Sequence, residues 1–329
     1  MVDTRIWGCE HAYACSHPQI RPPFTAKSEA PTLLCYDSTV KGELMSKHTI
    51  ALITDSTCDI PESLIEQYNI NVIPQTVVWG EEVLRDRVDI APETFYQRLE
   101  TDQRHPSTTL PTPADFEKTY RNAIAQGAQE IMVMTVSSAM SGTYQLAKQV
   151  GDKMSLPVRV IDSKGPSMSL GWQVLAAARA REAGSAIAGM IATAAQVRRT
   201  LVQIVCLDTL EYLHRGGRIG SATKFLGSLL DLKPLVQINH QTGLVEASGQ
   251  ARTRKKSIEL LMERFFEKLD HNKPLHIAVL HGNALEEAQA IAERIRQEYS
   301  PVEILLNITG PVLGINTGPR ALALCGYTE

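Results

Sequence analysis

One sequence feature constrains the fold of this chain most: an apolar run that is followed directly by small residues with hydroxyl groups. Ile131–Val136 is apolar and rich in β-branched residues, which is typical of a buried strand. Ser137, Ser138 and Ser141 follow, and Gly142 lets the backbone approach whatever lies at the start of the next helix. A strand end that leads into a helix N-terminus presents unpaired N–H groups and a partial positive charge, which suits a carboxylate or a phosphate. Ser141 can equally be no more than the N-cap of that helix.

Two other predicted strands end in the same way. Thr49–Thr54 leads into Asp55 and Ser56, and Val158–Asp162 leads into Ser163, with helical segments between the strands. The carboxyl ends of parallel strands meet at one edge of a sheet, and ligands bind at that edge. The pattern therefore predicts an α/β fold with a parallel sheet and a polar, ligand-binding edge.

A further strand, Asn71–Val78, and a proline-rich loop lie between the first two of these units. The loop, Thr101–Pro113, contains HPSTTLPTP, and residues that precede proline are pushed towards extended conformations. Its hydroxyl groups are therefore expected on a stiff, extended arm. A loop of this length is either functional or a surface connector.

The second half of the chain also alternates strands and helices. Val202–Leu207 reads as a strand, Leu232–Asn239 and Leu244–Ser248 as a hairpin, and Leu275–Ile308 as a β-α-β unit. The tail, GPVLGINTGPRALALC, reads as a small-residue turn carrying Asn316 between two apolar segments. More α/β structure is therefore expected after the first sheet.

A glycine-rich segment with two arginines precedes the predicted hairpin. Gly216, Gly217 and Gly220 stand with Arg215 and Arg218 in HRGGRIG. These residues could cradle a phosphate, but neither a GxGxxG nor a Walker pattern is present. A helix C-terminus followed by a flexible turn explains the glycines equally well.

The N-terminal segment differs from the rest of the chain. Residues 1–47 carry prolines and scattered cysteines without helix or strand periodicity, and regular patterning begins at His48. We expect an extension that is disordered or loosely attached, with Met45 as an alternative translation start. The ligand-type residues Cys9, His11, Cys15 and His17 match no standard zinc spacing, so no metal site is expected.

The amino-acid composition limits the classes of molecule that this chain is expected to bind. Charged residues make up 21% of the chain and the formal net charge is −3, which gives no general attraction to nucleic acid. Neither a membrane span nor a signal peptide is recognisable, and the six cysteines show no disulfide or CxxC pattern. We expect a cytoplasmic protein that makes at most transient contact with a membrane surface.

Several motifs in order resemble the DegV family of bacterial fatty-acid-binding proteins, from about residue 49 to the end of the chain. They are ITDSTCDIP, HPSTTLPTP, SSAMSGTYQ, IDSKGPSMSLG, LEYLHRGGRIG, LKPLVQI and TGPVLGINTGP. The resemblance implies a two-domain α/β protein, with a parallel-sheet domain over 48–200 and a mixed-sheet domain with a lipid tunnel over 201–329. The loop Thr101–Pro113 would contribute to the cleft between the domains.

The resemblance also implies a function and a set of site residues. A long-chain fatty acid would lie between the domains and be presented to a fatty acid kinase, with no cofactor, no metal and no catalysis by this chain. Thr108 of the proline-rich loop and Ser141, with Ser138 as the other candidate, would hold the carboxylate. Arg218 matches the family residue that acts in transfer of the acyl group to the kinase.

Two departures from the family pattern concern the head group. The tail reads GINTGPR where the family has GTHTGPG, so that Asn316 replaces a histidine and Arg320 a glycine. Asn316 can bind a carboxylate but cannot titrate, and Arg320 adds a permanent charge that could contact a phosphate or an anionic partner. The family loop TSQPS is TTLPT here, with Thr109, Leu110 and Thr112 replacing Ser, Gln and Ser.

Two other functions compete with the carrier interpretation. A different anionic or phosphorylated lipid-like ligand could be bound through Arg215, Arg218 and Arg320. A serine hydrolase would need a base beside its nucleophile. No GxSxG motif is present, and His214 and His281 are the candidate bases for Ser138 or Ser141.

Overall fold

The computed structural model of the protein describes residues 49–225 and 232–329. The predicted N-terminal extension, the alternative start at Met45 and the segment from Cys9 to His17 lie outside the described residues. Strands and helices follow one another in the mixed order that the sequence predicts for an α/β fold.

The described strands form three sheets. In chain order they are β1 Ile50–Asp55, β2 Ile70–Ile73, β3 Thr76–Trp79, β4 Glu82–Arg85, β5 Ser107–Thr109, β6 Glu130–Thr135, β7 Val158–Asp162, β8 Val202–Cys206, β9 Lys233–Asn239, β10 Leu244–Ala251, β11 Leu275–His281, β12 Glu303–Ile308 and β13 Leu322–Thr328.

The described α-helices alternate with these strands. They are α1 Glu62–Gln67, α2 Pro92–Thr101, α3 Pro113–Ala125, α4 Thr143–Gly151, α5 Met168–Glu182, α6 Ile187–Thr200, α7 Glu211–Arg215, α8 Arg254–Phe266, α9 Leu285–Tyr299 and α10 Pro311–Thr317. Short 3₁₀ turns cover Ser56–Cys58 and Gly220–Phe225.

The first sheet is parallel, with strand order β2-β1-β6-β7. The parallel sheet and the polar carboxyl ends that the sequence predicts are therefore confirmed for these strands. The polar strand ends hydrogen-bond to one another. The carboxylate of Asp55 accepts from the amide of Val136, and that of Asp162 accepts from the amide of Ser138.

A six-stranded mixed sheet has the order β10-β9-β8-β13-β11-β12, in which only β11 and β12 pair in parallel. The fold is therefore a mixed α/β fold with one parallel and one mixed sheet. The predicted division into two domains at residue 200 stays a prediction.

Helix α5 packs into the core on every side. Its residues from Met168 to Ala178 are all buried, and a helix that is apolar all round must be covered on all faces. One core cluster joins α5 to Leu52 and Met132 of the parallel sheet and to Cys325 of the mixed sheet. Helix α5 thus connects the two sheets, and the Trp172 indole N–H donates to the Cys325 carbonyl at 3.0 Å.

The prediction of one strand over Asn71–Val78 is wrong. The segment breaks at Pro74, so that β2 joins the parallel sheet and β3 joins an antiparallel sheet of order β4-β3-β5. Proline cannot donate to a ladder, and the next amide, that of Gln75, donates to the Ser56 hydroxyl at 3.0 Å. The backbone therefore leaves the first sheet at this point.

The prediction of a simple turn in the tail is also wrong. The segment forms helix α10, with Gly310 as its N-cap and Pro311 in the first turn. Proline is favoured in the first turn because its missing N–H would have no helical partner there. Asn316 therefore lies on a helix.

Candidate functional site

A cavity of about 340 Å³ lies between the carboxyl edge of the parallel sheet and one face of the mixed sheet. Its volume falls in the range of about 300–1,000 Å³ that is usual for small-molecule sites. One wall is apolar because strands β8, β9, β10 and β13 turn small or branched side chains towards it. These residues, with one that directly precedes β13, are Val205, Val236, Ile238, Val245, Ala321 and Ala323.

Another part of the lining carries neutral polar groups. Hydroxyl and amide side chains come from the segments that follow the strands of the parallel sheet, from the proline-rich loop, from the start of β8, and from helix α10 and the segment before it: Thr57, Gln75, Thr108, Thr109, Ser141, Ser167, Gln203, Thr309, Asn316 and Thr317. Among the described lining residues, Arg218 is the one charged side chain. The cavity can therefore accept a long apolar group that ends in an anion.

Ser141 lies two residues before helix α4, whose N-cap is Gly142. Its hydroxyl oxygen is 2.8 Å from the Thr143 hydroxyl and accepts from the Thr143 amide at 3.3 Å. The Gln75 side chain donates to the same Thr143 hydroxyl at 3.0 Å. Ser141 is therefore a half-buried residue at the cavity rather than the N-cap of α4.

Thr108 lies on β5, the extended centre of the proline-rich loop. It pairs with Val77 of β3, so the arm is held by a sheet ladder. Leu110 follows, and a Cβ built on Gly142 would lie 3.1 Å from its side chain. The loop therefore packs directly against the turn that carries Ser141.

Arg218 and Asn316 are brought together by the end of helix α7. The Arg218 guanidinium donates to the carbonyls of Gly216 at 2.6 Å and Met140 at 3.2 Å. A Cβ on Gly216 would lie 2.1 Å from the Asn316 amide oxygen, so only glycine permits this approach. The Asn316 side chain donates to the Val312 carbonyl at 3.0 Å, and its second N–H has no recorded acceptor among the described residues.

Four of the six predicted site residues line the cavity, and Ser138 and Arg320 do not. The Ser138 hydroxyl and amide both donate to the Asp162 carboxylate, at the exposed end of the turn. Arg320 is exposed with a positive φ of 60°, and its charge helps to hold the pKa of Glu287 below its ordinary value, after the hydrogen bond from Arg254.

The glycine-rich segment forms the end of a helix. Gly216 is the C-cap of α7 and Gly217 has a positive φ of 71°. The Arg215 side chain forms an ion pair with Glu211 and lies 2.7 Å from the His105 ring nitrogen. Arg215 is absent from the cavity lining, and Arg218 alone of the arginines proposed to bind phosphate reaches it.

The hydroxyl groups of the two candidate nucleophiles have no histidine among their hydrogen-bond partners in the described part of the chain. Ser138 bonds to Asp162 and Ser141 to Thr143. The ring nitrogen Nδ1 of His281 accepts instead from the Ala284 amide at 3.3 Å. Within residues 49–225 and 232–329, side chains suitable for metal binding form no cluster.

A buried carboxylate holds two parts of the cavity wall in place. Asp59 is fully buried and accepts from the Ser167 hydroxyl at 2.6 Å and from the Gly310 amide at 2.9 Å, at the start of α10. The Arg87 guanidinium forms an ion pair with it at 2.6 Å. Asp59 thus ties the loop after β7 to the helix that carries Asn316.

Several lining residues were not predicted. Gln75 follows the break at Pro74, and the wrong prediction of a continuous strand concealed its role. Ser167 and Thr317 lie inside the motifs IDSKGPSMSLG and TGPVLGINTGP, so their positions in shared motifs were the available signal. Within the described residues, no helix is both long and apolar enough to cross a membrane.

Comparisons with known proteins agree with this geometry. A family model described as "Uncharacterised protein, DegV family" matches residues 49–329. A DegV domain-containing protein of Streptomyces coelicolor is 35% identical over 85% of this chain and 98% of its own length. The protein DegV of Bacillus subtilis is 31% identical over 84% of this chain and 98% of its own length.

Solved structures show the same fold. A DegV family protein from Thermus thermophilus, described as binding fatty acid, has a TM-score of 0.78 at 31% identity and covers 85% of this chain and 99% of its own. DegV from Bacillus subtilis, described as a fatty acid binding protein, has a TM-score of 0.78 at 30% identity, covering 86% and 100%. With the motifs and the fold in agreement, the chain belongs to the DegV family.

Proposed function

We propose that this chain binds a long-chain fatty acid in the cavity between its sheets, without catalysing a reaction itself. The observation that carries the proposal is the lining, which joins an apolar wall to neutral hydrogen-bonding groups and one cation, Arg218. The related proteins of Thermus thermophilus and Bacillus subtilis, described as fatty-acid-binding, support the same class of ligand.

The carboxylate would be held at the polar part of the cavity. The hydroxyls of Thr108 and Ser141 and the free amide N–H of Asn316 are donors, and hydrogen bonds to an ionised acceptor are stronger than neutral ones. Arg218 contributes the positive charge. Because asparagine does not titrate, head-group binding would not depend on the protonation of residue 316.

The acyl chain would lie against the strands of the mixed sheet. Each methylene group that leaves water contributes about 0.8 kcal/mol. The neighbouring side chains Val236 and Val205 come from adjacent strands and present no polar atoms. Apolar burial would therefore supply most of the affinity, and the polar groups would set the orientation.

We further propose that the bound acid is presented to the catalytic subunit of a fatty acid kinase. Arg218 is exposed at the cavity, and the structure records only carbonyl acceptors for it among the described residues. A guanidinium in this position can face both the carboxylate and an approaching phosphoryl group.

Displacement of a fluorescent fatty acid tests the binding proposal. Thr108→Val and Ser141→Ala each remove a hydroxyl donor from the cavity, and each should weaken binding about tenfold. Ser138→Ala is the matched control, because this serine belongs to the same turn but points to Asp162. Equal affinities for all four proteins would contradict the assignment of the carboxylate site.

Transfer of phosphate from ATP to the bound acid tests the kinase proposal separately. With a purified bacterial fatty acid kinase catalytic subunit, Arg218→Gln should lower the rate of acyl phosphate formation while the protein stays loaded with fatty acid. Arg320→Gln is the control, because Arg320 lies outside the cavity lining. An unchanged rate for Arg218→Gln would refute its role in transfer.

A further inference from the structure

A second concavity has a volume of about 590 Å³. It is formed where the C-terminal end of α6, the loop after β7 and the turn between β9 and β10 meet. We call it the basic pocket, and its residues are Lys164, Arg198, Arg199, Leu201, Asn239, His240 and Gln241. The two cavities have no lining residue in common.

The charges of the basic pocket are not balanced. Lys164 forms an ion pair with Asp162 at 2.9 Å. Arg198 donates to the backbone carbonyl of Asp162 at 3.0 Å, and Arg199 donates to the neutral side chain of Gln196 at 3.1 Å. Over residues 49–225 and 232–329, neither arginine has a carboxylate within ion-pair distance. Two guanidinium groups therefore face the pocket uncompensated, in a chain whose net charge is −3.

The pocket is shaped by a neutral histidine on its inner side. Burial, followed by the charge of Arg198, lowers the pKa of His240 to about 4. Its ring nitrogen Nε2 lies 2.8 Å from the Ser169 hydroxyl, which holds the ring in place. The carboxylate nearest to Asn239 is that of Glu246, which accepts from the Asn239 side chain at 2.7 Å. His240 adds shape and polarity to the pocket, and the uncompensated positive charge comes from Arg198 and Arg199.

Arginine pairs suit one class of anion in particular. The planar fork of a guanidinium donates two parallel hydrogen bonds to a phosphate, and two arginines can neutralise a dianion. The Arg198 guanidinium is already oriented by its bond to Asp162, so less rotamer entropy is lost on binding. The volume of the pocket also leaves room for more than an isolated ion.

We propose that the basic pocket binds a phosphate monoester group. The phosphate could belong to a small soluble molecule or to the head group of a lipid, and the chemistry of recognition is the same for both. This inference does not depend on what occupies the fatty acid cavity.

Calorimetric titration of the full chain with inorganic phosphate and with phenyl phosphate, at constant ionic strength set by chloride, tests the proposal. We expect saturable binding that weakens at least about tenfold in the double variant Arg198→Gln/Arg199→Gln. Arg294→Gln/Arg296→Gln is the matched control, because both arginines lie on one helix, α9, and pair with glutamates. The control should bind like the wild type.

Sedimentation with vesicles of phosphatidylcholine with and without phosphatidic acid distinguishes the two sources. Binding of soluble phosphates by the wild type but not by the double variant supports a soluble ligand. Sedimentation that depends on phosphatidic acid and is lost in the double variant supports a lipid head group. Arg199→Gln is a second variant that keeps the Arg198 bond to Asp162 and should show a smaller loss in the same direction.

One alternative would overturn the proposal. Cations in the last turn of α6 also stabilise the helix dipole. If the double variant melts at a lower temperature but binds soluble phosphates and phosphatidic acid vesicles like the control, or if the wild type binds neither, the arginines serve the helix and the pocket is not a phosphate site.

Discussion

Filling the apolar wall should shorten the fatty acid that the protein prefers. Ala323 is 7% exposed and faces the cavity from strand β13 of the mixed sheet, where it pairs with Val205. Ala323→Leu adds the bulk of about three methylene groups to the cavity. At about 0.8 kcal/mol per displaced methylene, the longest acids should lose about 2.4 kcal/mol, or roughly fiftyfold in affinity.

A series of saturated fatty acids of increasing length, measured by displacement of one fluorescent acid, gives the test. Acids shorter by three or more carbons should bind Ala323→Leu and wild type equally, because they leave the added side chain enough room. Ala188→Leu, on an exposed position of α6, is the control for added hydrophobic surface. A uniform loss at every chain length, or none at any, would refute the assignment of this wall to the acyl chain.

Three further changes test how the site is built. Gly216→Ala should push the Asn316 side chain aside, because the new Cβ would lie 2.1 Å from its amide oxygen, and should weaken fatty acid binding about tenfold with little change in melting temperature. Asp59→Ala leaves Arg87 without its buried partner and should lower the free energy of unfolding in urea by about 3 kcal/mol; a loss below about 1 kcal/mol would contradict that role. Burial raises the pKa of Asp86 from 3.8 to about 7. The folded state therefore binds this proton more tightly than the unfolded state, and the stability it contributes is lost as pH rises between these values. The stability difference between wild type and Asp86→Asn should fall over that interval, and a flat difference would be the opposing result.

The parallel sheet was predictable because its signals are local. Strands such as Ile131–Val136 are apolar and end in polar residues, and the periodicity of the helices between them reveals the crossover connections. The structure confirms the parallel pairing of β1 with β2 and β6. What the pattern did not reveal is where the chain changes sheets, since mostly apolar residues lie on both sides of Pro74.

The small antiparallel sheet was missed for a different reason. Strand β4, Glu82–Arg85, is exposed and mixed in composition, with Val83 69% exposed, so no buried face produces an alternating pattern. Its position is determined by pairing with β3, which lies close in sequence. The connection between the two strands carries no strong turn motif apart from Gly80.

The candidate site was predictable only in part because a cavity depends on long-range packing. Thr108, Ser141, Arg218 and Asn316 were identified from family motifs, and all four line one cavity in the structure. Ser138 and Ser141 both follow strand β6. The Ser138 hydroxyl hydrogen-bonds to Asp162 at the end of the neighbouring strand β7, and Ser138 does not line the cavity. No local signal distinguishes the two serines.

The identity of the molecule that the protein retains is the most direct test of the proposed function. The protein should be purified without detergent, weighed by native mass spectrometry, and its extracted ligand identified. We predict a mass increment equal to one long-chain fatty acid, which Thr108→Val/Ser141→Ala reduces. A wild-type protein that stays empty when supplied with fatty acids, or that retains a phosphorylated or isoprenoid-like lipid instead, would contradict the account.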